Sequence, residues 1–126
     1  MKKKLIAILI SGVLALSLTA CSNGLPDYTT QEAYDLGVKA YEDMNDFCDG
    51  SMNADTLEEE LTDINDKLEA INDKHDKNDE SEDYMNDDSI ALRVSSALAS
   101  LRVMDDDETY AVKKDRDSLA DVLEIK

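Results

Sequence analysis

Leu57 to Ile71 reads LEEELTDINDKLEAI. Its apolar side chains, Leu57, Leu61, Ile64, Leu68 and Ile71, recur at alternating steps of four and three, and nearly everything between them is charged or amide. Those steps return a side chain to one side of an α-helix, whereas a half-buried strand would alternate at every second residue. A stripe this narrow predicts a helix that gives one seam to its neighbours and the rest of its surface to water. Asp63 with Lys67 and Asp73 with Lys77 stand one turn apart in acid-before-base order, worth about 0.2–0.5 kcal/mol per pair in an isolated helix. Thr56 and Glu59 have the spacing of a capping box. His75 prolongs the seam, four residues after Ile71.

The helical period extends on both sides of this stretch. Upstream, Thr29 and Glu32 have capping-box spacing, and Tyr34, Val38, Tyr41, Met44 and Cys48 follow at steps of four, three, three and four. Ala33, Leu36, Ala40 and Phe47 widen that stripe, which predicts a helix lying deep in a bundle and stopped by Asp49 and Gly50. Downstream, a third helix is expected over about Asp83 to Met104, with Ile90, Ala91, Val94, Ala97, Leu98, Leu101 and Met104 on one broad face. Its alanines and serines allow close approach, so it is expected to be the most buried element and to pack on the first helix. A shorter fourth helix is expected from about Asp107 to Glu124, using Val112, Leu119, Val122 and Leu123. The acidic run Asp105 to Glu108 suits its positive N-terminal end, while the polar stretch Lys113 to Ser118 threatens to break it.

Strand signals are missing. After Pro26 only Gly37 and Gly50 occur, and no Asn-Gly or Asp-Gly pair separates two alternating runs. Short loops between long helices favour antiparallel neighbours, so the fold class is all-α: a small antiparallel up-and-down bundle of three to four helices over residues 29–126. Gly24 and the only proline, Pro26, mark residues 21–28 as a tether ahead of it.

The first twenty residues differ from all of this. Lys2, Lys3 and Lys4 precede the uncharged run LIAILISGVLALSL, Leu5 to Leu18, which is followed by small residues. Basic start, short apolar middle and small-residue exit describe a secretory signal peptide, residues 1–20. A permanent span needs about 20 apolar residues, more than this run supplies. The exit reads LTAC, Leu18 to Cys21. That tetrad resembles the lipobox of bacterial lipoproteins. The resemblance implies cleavage between Ala20 and Cys21 and diacylglycerol transfer to the Cys21 thiol, followed in some bacteria by acylation of the new amine, palmitate being a typical chain. It covers only the leader and its junction, and it implies a cell-membrane protein, lipid-anchored on the extracytoplasmic face, in the outer membrane if the cell has one. Two acyl chains give lasting attachment where one is marginal.

Charge bounds the partners. The 126-residue chain has a formal net charge of −17; loss of the three leader lysines takes this to −20. Such a chain repels nucleic acid and anionic surfaces and attracts cations and basic partners. With Cys21 acylated, Cys48 has no partner in the chain, which excludes a disulfide framework; a buried thiol is expected, with a bridge to a second molecule, or to an unlipidated Cys21, as alternatives.

Candidate sites are sparse. The run DKHDKNDESEDYMNDD, Asp73 to Asp88, suggests a calcium loop, with Asp76, Asn78, Glu80 and Asp87 at first, third, fifth and twelfth positions. Ser81 stands where that loop needs glycine, so no metal site is assigned and a solvated helix connection is expected. His75 has no Cys or His at metal-ligand spacing. No activated nucleophile is marked, and a sugar cleft would want aromatics that a chain without tryptophan lacks. The expected function is therefore a non-enzymatic, membrane-anchored helical interaction module for a protein, peptide or envelope component, without a cofactor. The alternative is a surface cation or small-ligand binder using residues 73–88. The narrow second-helix seam, which a partner helix could complete, motivates the first.

Overall fold

The computed structural model describes residues 24–103 and 108–125; the leader, Ala20, Cys21, Met104 and Asp105 to Asp107 lie outside them. Four helices and no strand are found among the described residues: α1 (Gln31–Cys48), α2 (Ala54–Lys77), α3 (Met85–Arg102) and α4 (Glu108–Leu123). Consecutive helices pack side by side, α4 closes back on α1, and α1 also meets α3 across the interior. This is an all-α, antiparallel, up-and-down four-helix bundle.

The seam of α2 is filled from within. Leu57, Leu61, Ile64, Leu68 and Ile71 are each at most 6% exposed. They join Ala33, Tyr34, Val38, Ala40 and Met44 of α1, Ile90, Val94, Ala97, Leu98 and Leu101 of α3, and Val112, Leu119 and Leu123 of α4 in one core. At about 25 cal/mol per Å² of apolar surface removed from water, this stripe is the main reason the helices associate. The Asp63–Lys67 pair closes to 2.8 Å.

Helix starts differ from the sequence expectation. Thr30, not Thr29, caps α1, its hydroxyl accepting from the Ala33 amide at 3.2 Å. Asn53 caps α2 by accepting from the Thr56 amide at 2.8 Å, three residues ahead of the expected Thr56–Glu59 box. Between these helices Gly50, at φ +90, closes a Schellman motif in which Ser51 N–H reaches Asp46 O and Gly50 N–H reaches Phe47 O.

Two further corrections concern α3 and α4. α3 packs chiefly on α2 and α4 rather than on α1. α4 runs unbroken through Lys113 to Ser118, because its polar side chains find partners: Asp115 accepts from Ser96 and Ser100 of α3, and Arg116 donates to Asn45 of α1 at 2.7 Å. The described end of the tether is also engaged, Leu25 being packed on the core and Pro26 buried.

The α1–α3 diagonal depends on a missing side chain. A Cβ on Gly37 would lie 2.8 Å from Leu123 Cδ2 and 3.0 Å from Ile90 Cγ2, and both neighbours are fully enclosed. Gly37→Ala gains up to about 1 kcal/mol of helix propensity, but overpacking a closed core costs about 1–3 kcal/mol. The net expected in urea unfolding is a loss of about 1 kcal/mol, with Gly37→Val worse; a Gly37→Ala protein more stable than wild type would show that the diagonal is loosely packed.

Candidate functional site

The sequence candidates are dispersed. Asp87, the twelfth position of the supposed calcium loop, is fully buried in the first turn of α3. Asp76 lies at the exposed end of α2 and accepts from Ser81 Oγ. Asn78 is the C-cap of α2, and Glu80 follows in the turn. The four are not brought together, and no group of three or more His, Cys, Asp or Glu placed to hold a metal occurs among the described residues. Ala20 and Cys21 fall outside those residues.

Asp87 belongs instead to a clamp at one end of the bundle. Its Oδ1 accepts from the Thr30 amide at 2.9 Å, and its Oδ2 accepts from the Thr30 hydroxyl at 2.7 Å. Oδ2 also lies 2.9 Å from His75 Nε2. A carboxylate only accepts, so that ring nitrogen carries the hydrogen. In a capping box the third helical residue returns its side chain to the N-cap amide. In α1 that residue is Ala33, which cannot, and Asp87 performs the task from another helix. Sequence reasoning placed the box one residue early because Glu32 offered a local partner, whereas the real one is 57 positions away.

Asn86 completes the clamp. Its amide donates to Tyr28 O at 3.1 Å, and its Nδ2 donates to Thr29 Oγ1 at 2.8 Å and to Val122 O, in the last turn of α4, at 3.3 Å. Two adjacent residues of α3 thus tie the start of α1 and the ends of α2 and α4. Tyr84 stacks on His75 with ring centroids 4.7 Å apart and planes 26° from parallel. The second ring nitrogen, Nδ1, faces Glu80 at 3.7 Å. Among the described residues the ring hydrogen-bonds only Asp87, Glu80 standing beyond hydrogen-bond distance.

A second polar cluster joins α1 to α2. Lys39 Nζ lies 2.8 Å from both Asp43 and Glu60. Burial pulls the Lys39 pKa down, but the hydrogen bonds it donates to the two carboxylates override it and leave the pKa raised. Asp43 is also raised, by burial first, because it shares its single cation with Glu60 and stands near Asp46. Glu42 is raised by burial and by the charges of Asp43 and Asp46. Cys48 is half-buried and free, and burial pushes its thiol pKa up.

Open surface offers little concavity. A depression of about 610 Å³ is lined by Asp55, Glu58, Glu59, Thr62, Asp63 and Asp66, all on the outside of α2. One helix face does not enclose a ligand. The α2 seam that suggested a partner-binding groove is occupied by the bundle's own core, so α2 presents water with a mainly charged face in which carboxylates outnumber lysines. No protein-family model matches the chain, and searches of curated proteins and of solved structures find no match.

Replacing Asp87 by Ala leaves the Thr30 amide, the Thr30 hydroxyl and His75 without their acceptor, for an expected loss of about 3 kcal/mol in urea unfolding. A loss under about 1 kcal/mol would mean that apolar packing alone holds this end. The raised carboxyls predict a pH dependence. A folded-state pKa above the unfolded value makes the native state bind protons more tightly, so stability rises as pH falls through the raised values of Asp43 and Glu42 toward their ordinary 3.8 and 4.5. Lys39 contributes stability that is present below its ordinary 10.5 and lost above it. The melting temperature should climb as pH falls from neutrality toward the ordinary 4.5 and 3.8 of these groups, and Asp43→Asn should flatten the climb relative to wild type; an unchanged slope in that variant would remove Asp43 as its source.

Proposed function

We propose that the chain is a lipid-anchored protein of the extracytoplasmic face of a bacterial membrane. In this reading residues 1–20 are a cleaved leader, Cys21 carries the acyl chains, and the bundle is a non-enzymatic interaction module rather than a catalyst. The observation that carries it is the order of the first 21 residues: three lysines, an uncharged run of 14, and LTAC. The run is too short for a comfortable span, and no described helix is long and apolar enough to cross a membrane. Support for the non-catalytic part comes from the surface, where the depression on α2 is the open face of a single helix and encloses no ligand.

The seam of α2 no longer motivates the interaction reading. What replaces it is the outer surface of α3, where large apolar side chains stand in water on a chain that is otherwise acidic.

Growth of an expressing bacterium with labelled palmitate tests the anchor. Label should enter the wild-type chain and vanish in Cys21→Ser, which should also leave the membrane fraction. Mass spectrometry should find a mature N-terminus at Cys21. An intact leader, or an unmodified residue 21, would refute the reading.

A further inference from the structure

Five large apolar side chains are exposed among the described residues: Tyr28, Met85, Leu92, Val103 and Tyr110. Three of them lie on one line along α3. Met85, Ser89, Leu92, Ser96, Ala99 and Val103 follow at steps of four, three, four, three and four. This is the spacing of the α2 seam, repeated on the side of α3 that faces away from its buried residues Asp87, Ile90, Ala91, Val94, Ala97, Leu98 and Leu101. Met85 is 54% exposed, Leu92 62% and Val103 80%. Unlike the α2 seam, its apolar members lie outside the core, and the line's tie to another helix among the described residues is Ser96 Oγ donating to Asp115 of α4 at 3.0 Å. A strict heptad seam containing no charge is what one helix offers another in a coiled coil, and its small residues let two backbones approach closely.

We propose that this seam pairs with the same seam of a second copy of the chain, α3 parallel to α3 about a two-fold axis, with Asp88 of each copy against Arg93 of the other. Charge selects the occupant. No Asp or Glu occurs between Asp88 and Asp105, whereas the outer face of α2 carries Asp55, Glu58, Glu59, Asp63 and Asp66. Two chains of charge −17 therefore approach with least repulsion along α3.

Register selects the orientation. With Met85, Leu92 and Ala99 at d positions and Ser89, Ser96 and Val103 at a positions, Asp88 falls at g and Arg93 at the following e. That is the pair that crosses a parallel two-helix seam. Arg93 is half-buried and forms no salt bridge or side-chain hydrogen bond among the described residues; its Nε is enclosed and unpaired, so the guanidinium's terminal nitrogens are the groups left to meet Asp88 of the other copy. An antiparallel pairing would instead bring Asp88 toward Arg102, which is already held by Glu58 and Thr62 of α2. The parallel form also keeps both tethers at one end, since Tyr28 is bonded to Asn86 beside Met85; this last point rests on the lipid-anchor reading. A seam of about 27 Å, at 1.5 Å per residue, is narrower than a stable soluble interface needs. Confinement to one membrane raises the effective concentration that such a contact requires.

The test is disulfide crosslinking of the full chain in the membranes of an expressing bacterium, in a Cys48→Ala background, with two differently tagged copies and a mild oxidant. Leu92→Cys and Met85→Cys should each form homodimers carrying both tags, while Glu59→Cys, on the outer face of α2, should remain monomeric. Asp88→Arg should cut the Met85→Cys crosslink several-fold, and Asp88→Arg with Arg93→Asp should restore it. No dimer above the Glu59→Cys control would overturn the proposal. So would crosslinking only in mixtures of Met85→Cys with Val103→Cys, which marks an antiparallel pair, or adducts only to another protein. Palmitate labelling of the same samples reports the anchor separately. Labelled Cys21 without a Leu92→Cys dimer removes the seam and leaves the anchor; an unlabelled chain that still dimerises through Leu92→Cys removes the anchor and leaves the seam.

Discussion

A carboxylate with no access to water costs several kcal/mol to bury unless its lone pairs are met by donors. Asp87 is such a group, and meeting that demand fixes the geometry of one whole end of the bundle. Its donors are the Thr30 amide and hydroxyl and the His75 ring. The arrangement also follows the helix dipoles. The acid sits at the N-terminal ends of α1 and α3, where the backbone field is positive, and the imidazole sits in the last turn of α2, where it is negative. Asn86, next in the chain, does the same with neutral groups, giving a donor to an end carbonyl of α4. α3 can reach α1 across the diagonal because Gly37, two turns above Thr30, presents no side chain to Ile90, one turn above Asp87. The glycine and the buried acid are two parts of one contact.

Away from that end the helices are tied pairwise at the perimeter. Lys39 reaches Glu60, Arg102 reaches Glu58, Ser96 and Ser100 reach Asp115, and Arg116 reaches Asn45. Exposed ties of this kind contribute about 0–1 kcal/mol each. They therefore fix rotation and register more than they add stability, and the apolar core supplies the larger share. The raised pKa values of Asp43 and Glu42 come first from burial and then from neighbouring carboxylates, in a chain with fewer cations than acids.

The periodic elements were legible because periodicity is a local property. The steps in α2 and the broad faces of α1 and α3 required only helix geometry and the tendency of apolar side chains to leave water. Thr30 was not legible as the cap of α1, because its partner comes from another helix and Glu32 stands at the right distance from the wrong threonine. The continuity of α4 was hidden for a similar reason: Lys113 to Ser118 reads as a polar interruption until Asp115 and Arg116 are seen bonded to α3 and α1. Asp87 was misassigned because a run of acids looks uniform in sequence, and only the fold separates the one that turns inward from those that face water. The outer line of α3 could have been found. Counting from Met85 instead of Ile90 gives the same four-three steps, but the larger residues on the inner face drew the reading.

That double patterning bears on why α3 differs from its neighbours. A helix that buries one face and solvates the other should resemble α2, with carboxylates or lysines at every outward position. The line of α3 farthest from its buried face is Met, Ser, Leu, Ser, Ala and Val, flanked by the exposed Asp88 and Arg102, in a chain where Asp and Glu number 30 of 126 residues. The core of the bundle does not require this, since Leu92 and Val103 contribute nothing to it. Solubility opposes it, because exposed apolar side chains are the ones an acidic surface would replace at no structural cost. A seam that neither the fold nor water asks for is accounted for by a surface that covers it. The neutral outer line, the unmatched Arg93 beside it and the Asp88 one turn before Leu92 fit a partner surface of the same kind.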